Sequence, residues 1–260
     1  MGTDLATSSE RLRDISRAIV HERRNAGSLV EFPGALPASL DEAYKVQALS
    51  RGQWPDEVIG WKVGGIPPIH REALGADYLS GPIYARRFFP AVEGLRAAMP
   101  VFQDGFAAIE PEFILVMGAT PDQDRVFIGA EIASSPIVDI NGIGPLAVVC
   151  DFGNNNGILL GPEISNWKQM DGVSVPVTTQ IDNEIVGEKT VTDLPAAVAR
   201  SRAFLCDLAE REGFALPAGT FISTGAITGV HDAKCGALST LRFGEWGSLD
   251  IELVPEQPFA

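Results

Sequence analysis

The chain has 260 residues, 45% hydrophobic and 21% charged, with a formal net charge of -14. That length buries a full core without disulfide staples. The acidity, with no Lys/Arg run, excludes a partner such as duplex nucleic acid, which needs a basic patch. No apolar run nears the ~20 residues that cross a bilayer, and Met1 to Arg13 lacks an apolar signal core. Cys150, Cys206 and Cys235 are odd in number and form no CxxC, which argues against a thiolate zinc site. These features predict a cytoplasmic, soluble protein with reduced thiols and no membrane partner.

Thr7-Ser8-Ser9-Glu10 fits a capping box, after which Leu12, Ile15 and Ile19 recur at helical spacing until Gly27. Ser39-Leu40-Asp41-Glu42 fits a second box, opening a helix that turns Ala43, Val46 and Leu49 inward. Val58 to Gly65 reads as a short strand entering a glycine turn that Pro67-Pro68 closes, and Leu74 to Tyr84 as a loop leading into a strand. The pattern divides the chain into a mainly helical region, 1–95, and a strand-rich core, 96–260.

From Phe106 on, strands dominate. Phe106 to Met117, Val126 to Ile132, Leu146 to Cys150, Gly157 to Leu160, Val173 to Ile181 and Phe221 to Thr224 are apolar or alternating runs. Asp182-Asn183-Glu184 is a hairpin turn signal. Leu194 to Glu212 is a late helix with Gly213 at its C-terminal cap position. Ser239 to Val254 alternates and reads as a hairpin turning at Glu245-Trp246-Gly247. Many short strands with glycine turns imply a closed or rolled β core with helices packed outside.

The chemistry concentrates at Ile109-Glu110-Pro111-Glu112-Phe113. Residues two apart on a strand share a face, so Glu110 and Glu112 stand side by side. Carboxylates that close repel unless one takes a proton or a cation sits between them. Oxygen-only ligation selects a hard ion such as Mg²⁺, Mn²⁺ or Ca²⁺. The same pair also fits the solvated face of an edge strand, a placement that Pro111 favours. Glu131 is a lone charge in the apolar run Phe127 to Ala133 and is a candidate third ligand; Asp139 and Asp151 are its rivals. Lys62, beside the glycine turn, suits a carboxylate or enolate oxygen. In Asp151 to Gly157, three consecutive Asn make a turn whose amides can also bind a ligand. Ser223-Thr224-Gly225 ends a strand where the Thr224 hydroxyl can take a substrate carboxylate. His231, beside Asp232, is a weak acid/base candidate. No GxGxxG after a strand and no P-loop occurs, so nucleotide cofactors are not indicated.

Taken together, these segments resemble the 2-hydroxypenta-2,4-dienoate hydratase and 4-oxalocrotonate decarboxylase family of the fumarylacetoacetate hydrolase superfamily. The resemblance rests on Gly60-Trp61-Lys62-Val63-Gly64, Leu74-Gly75-Ala76-Asp77, Ile109-Glu110-Pro111-Glu112, Ala130 to Pro136, Asp151 to Gly161, Ser223-Thr224-Gly225 and Phe243 to Ser248. It runs from about Gly60 to Leu253. It implies an α+β fold: a mixed β-roll or barrel core with an N-terminal helical region and outer helices. It implies Mg²⁺ or Mn²⁺ at Glu110, Glu112 and Glu131, and Lys62 as the catalytic cation. Lys62, Asn156 and Thr224 are then the contacts to a small 2-oxo acid, and a homo-oligomer is implied.

The activity implied is a hydro-lyase of aromatic catabolism, adding water to a 2-hydroxy-2,4-dienoate to give a 4-hydroxy-2-oxo acid. The alternatives are 2-oxo acid decarboxylation, C–C hydrolysis of an acylpyruvate, or a non-catalytic metal-binding partner subunit. Two departures bear on these. Leu79-Ser80 stands where many hydratases carry an acidic residue before the glycine matching Gly81. Only 18 residues separate Glu112 from Glu131, which leaves Asp139 open as the third ligand.

Overall fold

Leu12, Ile15, Ile19 and Val20 share one face of a 3.6-residue period, and that face is buried in the first helix, α1 (Gly2–Asn25). The computed structural model describes residues 2–259, with side chains from residue 9 onward. Helix α1 starts earlier than expected: Thr7-Ser8-Ser9-Glu10 lies inside it, and the side chains at 7 and 8 lie outside the described residues. It ends at Ala26, with φ of 51°, and the Gly27 N–H returns to the Glu22 carbonyl at 2.9 Å. Ser39 caps α2 (Leu40–Arg51), accepting from the Glu42 N–H at 3.3 Å. The two helices pack together.

The strands follow as β1 (Val58–Gly65), β2 (Tyr78–Tyr84), β3 (Phe88–Pro90), β4 (Ala97–Val101), β5 (Phe106–Val116) and β6 (Arg125–Ser135). Pro67-Pro68 does not close a turn. It opens α3 (Pro68–Leu74), with Pro68 at the first helical position, where a missing N–H costs nothing. Since β1, β2 and β3 precede residue 96 and join the same sheet as β5 and β6, the first 95 residues are not uniformly helical.

Next come α4 (Ile140–Ile143), α5 (Pro145–Cys150) and β7 (Asn155–Glu163). The run Leu146 to Cys150, read as a strand, is helix α5. Pro145 again starts it, and its residues are apolar because all sides of this turn are enclosed, which hides the helical period. The chain ends with β8 (Asp171–Ile181), β9 (Glu184–Asp193), α6 (Leu194–Glu212), β10 (Phe221–Ser223), β11 (His231–Asp232), β12 (Leu238–Phe243) and β13 (Ser248–Pro255).

An eight-stranded mixed sheet takes the order β2-β1-β10-β5-β6-β7-β3, with β11 also beside β5. A second sheet runs β4-β13-β12-β8-β9. The α+β class and the mixed β core with outer helices follow as expected. Among the described residues no helix is long and apolar enough to cross a membrane.

Strand β5 lies inside the larger sheet, so its Pro111 needs an explanation. On one side β6 pairs with β5 along its whole length. On the other, β11 covers Ala108 and Ile109, and β10 covers Ile114 to Val116. Pro111 falls in the gap between those two short strands, and its carbonyl accepts from the Ile227 N–H at 2.9 Å. A residue without an N–H therefore sits where no ladder bond is lost.

Candidate metal and substrate site

The β5–β6 register sets the site. Glu110 pairs directly opposite Glu131, and Glu112 follows two residues along the same face of β5. The three carboxylates are buried, and one oxygen from each lies within 4.8 Å of the other two. An exposed acidic strand face is thereby excluded. Asp139, the rival third ligand, is exposed at the start of α4, and Asp151 is buried against Arg23 of α1. The Glu112–Glu131 connection is short because β5 and β6 form one long hairpin, joined by a single helical turn at Pro121–Gln123.

Each carboxylate is oriented by a neighbour. Glu112 Oε2 accepts from the Ser223 hydroxyl and, at 2.8 Å, from the Gly225 N–H. Gly225 has φ of 104°, which disfavours any side chain there. Glu131 Oε1 accepts from Asn155 Nδ2 at 2.9 Å and lies 3.1 Å from Lys62 Nζ. The Lys62 ammonium also donates to Asn154 Oδ1 at 3.0 Å. The outer oxygens, Glu112 Oε1 and Glu131 Oε2, are buried with no hydrogen-bond partner. Two buried carboxylate oxygens left bare in one cluster cost free energy unless a cation takes them, so the donor set fits a hard divalent ion.

The electrostatics agree. Burial raises the Glu110 carboxyl to about 7, against the pull of the Lys62 cation, and Glu131 adds to the rise. Burial also pushes Glu112 well above the usual carboxylate range, with the Glu131 and Glu110 charges adding to it. For Lys62, burial disfavours the cation, but Glu131, Glu110 and Glu112 outweigh it and hold the ammonium above its ordinary pKa. One buried cation thus faces three buried acids, a deficit of positive charge that a 2+ ion corrects.

A cavity of about 850 Å³ opens beside this cluster. Lys62, Glu110 and Asn154 reach its buried wall, while Arg71, Lys189 and Arg200 stand on its exposed wall. Thr224 also lines it, though its hydroxyl donates to the Phe113 carbonyl at 2.9 Å. Asn156 does not line it. Its amide donates to the Pro100 carbonyl at 2.8 Å and to Glu256 at 2.9 Å, so the side chain is spent on the fold. Within this turn it is Asn154, two residues earlier, that lines the cavity. His231 bonds to the Thr228 hydroxyl at 2.8 Å and is outside the cavity lining.

Sequence reasoning passed over Arg23. Its signal was a lone charge continuing the stripe Leu12, Ile15, Ile19 at the next helical step, a position only a fully paired cation occupies.

No family model matches the chain. Over 109 residues, 42% of this chain, it is 28% identical to the 4-oxalocrotonate decarboxylase of Pseudomonas putida. That match spans 41% of the curated relative, less than half its length. The solved structure of 4-oxalocrotonate decarboxylase from Pseudomonas putida G7, complexed with magnesium and adipate, superposes with a TM-score of 0.75 at 21% identity, covering 95% of this chain and 98% of that one. This is the fumarylacetoacetate hydrolase fold. The resemblance read from the motifs is borne out at that level. A fumarylpyruvate hydrolase from Pseudomonas aeruginosa, in complex with Mn²⁺ and pyruvate, shares the same fold with a TM-score of 0.56 at 17% identity, covering 78% of this chain and 91% of that one.

Proposed function

We propose that this fumarylacetoacetate hydrolase-fold chain is a divalent-cation-dependent enzyme of 2-oxo acids, and that its reaction is decarboxylation of an unsaturated 2-oxo diacid of the 4-oxalocrotonate type. The observation that carries the first part is the buried Glu110–Glu112–Glu131 cluster with two unpartnered oxygens, set beside Lys62 at a cavity wall. Those three carboxylates would hold Mg²⁺ or Mn²⁺, the class of ion bound in the solved relatives. When bound, such an ion supplies a Lewis acid for the 2-oxo oxygen of the substrate.

The chain's own residues do the rest. Lys62, fixed by Glu131 and Asn154, is a permanent positive charge beside the 2-oxo carboxylate and keeps its proton throughout. The burial of the cluster strengthens that attraction, because little water screens it. In the reaction the bond between C5 and the distal carboxylate carbon breaks. Its electron pair passes through the C3–C4 double bond to the 2-oxo oxygen, CO₂ leaves, and a 2-hydroxy-2,4-dienoate remains after protonation.

Decarboxylation is favoured over hydration by two observations. Arg71 and Lys189 on the exposed cavity wall suit a second carboxylate, which the diacid has and the dienoate lacks; Arg200 beside them pairs with Asp193 at 2.8 Å. Hydration also needs a group to deliver water at the far end of the diene, and Ser80, in place of the acid seen in many hydratases, is buried and donates to the Lys62 carbonyl at 2.6 Å. The 28% identity to a 4-oxalocrotonate decarboxylase supports the same reading.

The test is turnover of 4-oxalocrotonate, 2-hydroxypentadienoate and an acylpyruvate, each with Mg²⁺ or Mn²⁺ and with EDTA. CO₂ release from the diacid alone, abolished by EDTA, is the expected result. Preferred consumption of the dienoate would restore the hydratase reading, and tight metal binding with no turnover would leave a binding subunit.

A further inference from the structure

The oddest backbone in the chain lies directly behind the carboxylate cluster. Phe152, Gly153 and Asn154 have φ of 56°, 66° and 53°, three consecutive residues in the left-handed region. Two of them carry side chains, so the turn is disfavoured unless its surroundings hold it. The turn is buried throughout. It also presses on β2: a Cβ on Gly81 would stand 2.0 Å from the Phe152 carbonyl oxygen, so only glycine fits there.

One side chain from a remote part of the sequence ties this turn at both ends. Arg23 of α1 pairs with the Asp151 carboxylate through Nε and, at 3.0 Å, through Nη2. The same guanidinium donates to the carbonyls of Asp151 at 3.2 Å, Asn155 at 3.3 Å and Ser134 at 3.1 Å, and to Asn156 Oδ1 at 3.3 Å. Its Cζ stands over the Phe102 and Phe152 rings, 5.4 and 5.2 Å from their centroids. The residues so fixed are the ones that present Asn154 to Lys62 and Asn155 to Glu131. With Oε1 held by Asn155 and Lys62, Glu131 has only Oε2 left free of protein partners.

We infer that Arg23 and Asp151 are positioning residues for the cation site, acting through Asn155 on Glu131 and through Asn154 on Lys62. The inference rests on the cation reading above and adds a role for α1, which contributes no ligand itself. Hydrogen-bond partners behind a ligand commonly set metal affinity by about 10- to 100-fold. The pair sits where it can do so without touching ion or substrate.

The experiment uses the full chain, stripped of metal, and reads Mn²⁺ binding by the electron paramagnetic resonance signal of free ion. Melting in EDTA is recorded alongside. The variants are Asn155→Ala, Arg23→Gln, the isosteric Asp151→Asn, and the double variant Arg23→Gln/Asn155→Ala. Folded single variants are expected to bind Mn²⁺ about 10- to 100-fold more weakly than wild type. The double variant should lose clearly less than the product of the two single losses, because Arg23 reaches the ligand Glu131 through the same Asn155 that the second change removes. Unchanged Mn²⁺ affinity in the folded variants, or additive losses, overturns the proposal. So does failure of both Arg23→Gln and Asp151→Asn to fold, since the pair would then be holding the fold and not the site. If wild type itself takes up no Mn²⁺, the cation reading falls first and separately.

Discussion

Two long antiparallel hairpins of this protein carry acidic residues on their strands, and they put them to opposite uses. In β5–β6 the register is unbroken from Phe106 opposite Ser135 to Val116 opposite Arg125, and Glu110, Glu112 and Glu131 are buried. In β8–β9 the register slips twice, and Glu184 and Glu188 of β9 are exposed. The difference is location. Strand β5 has neighbours on both sides, whereas β9 is the last strand of its sheet. Edge strands carry charges to discourage further pairing. A charge inside a sheet has no such purpose, and its desolvation must be balanced by a partner.

The comparison breaks most readily at the carboxylates. Glu112→Gln and Glu131→Gln should each weaken Mn²⁺ binding by more than ~100-fold, each removing a charged oxygen that neither water nor protein replaces. Turnover should fall with it. Glu184→Gln and Glu188→Gln should leave both quantities at wild-type values. Isothermal titration of all four variants decides it, and equal losses in the two pairs would mean that burial does not separate the hairpins.

Lys62 comes next. Lys62→Met keeps the length of the side chain and removes its charge. The expected loss in kcat/KM is about 10²- to 10³-fold, the range seen when a fixed transition-state contact is deleted. Near-normal turnover would strip Lys62 of its role.

How much of this was legible follows the same division. The Glu110/Glu112 pairing could be read because a strand has a period of two, and Glu131 because a charge in an apolar run needs a partner. What a single sequence could not supply was the pairing register that sets Glu131 opposite Glu110, since that depends on a hairpin connection of irregular length. The Asn turn is legible as a turn, but the sequence does not say which of its side chains faces a ligand: Asn154, and not the expected Asn156, lines the cavity. Three left-handed or helical residues in succession rotate side chains off any simple period, so neighbouring Asn point to unrelated partners. Helix α5 was missed because full enclosure erases amphipathic contrast.

The third test sharpens the comparison through pH. Burial raises Glu110 to about 7 in the folded state, while its unfolded value is the ordinary 4.5. A carboxyl raised on folding stabilises the fold fully below the unfolded value, and that contribution is lost as pH rises through the folded one. The metal-free protein should therefore melt lower at pH 8 than at pH 6, by a few degrees for each ~1 kcal/mol involved. Glu110→Gln should reduce that slope in EDTA without abolishing it, because burial raises Glu112 as well, and saturating Mg²⁺ should narrow the gap, because the ion binds the deprotonated cluster. The half-buried Glu42 and the exposed Glu163 are lowered, by a backbone hydrogen bond from Ala38 and by Arg125 respectively, so their contributions change below the ordinary 4.5 and leave this window untouched. A metal-free melting temperature that climbs from pH 6 to pH 8 would contradict the burial argument.

The smallest effect lies where the two hairpins meet. Strand β9 is exposed, but its far end lines, with Lys189 to Asp193, the same cavity that β5 lines with Glu110. If the substrate is a diacid, the exposed hairpin contributes the charge that greets its second carboxylate. Lys189→Ala and Arg71→Ala should then each raise the KM for 4-oxalocrotonate by about 2- to 5-fold at low salt, since an exposed ion pair contributes only ~0.2–1 kcal/mol. The kcat should hold, because the distal contact binds the substrate without touching the 2-oxo group. The effect should fade as salt shortens the screening length, and KM for a monoanionic dienoate should not move. A salt-independent loss would point to packing in place of charge. An unchanged KM would make β9 a bystander and remove the cationic wall as an argument for a diacid.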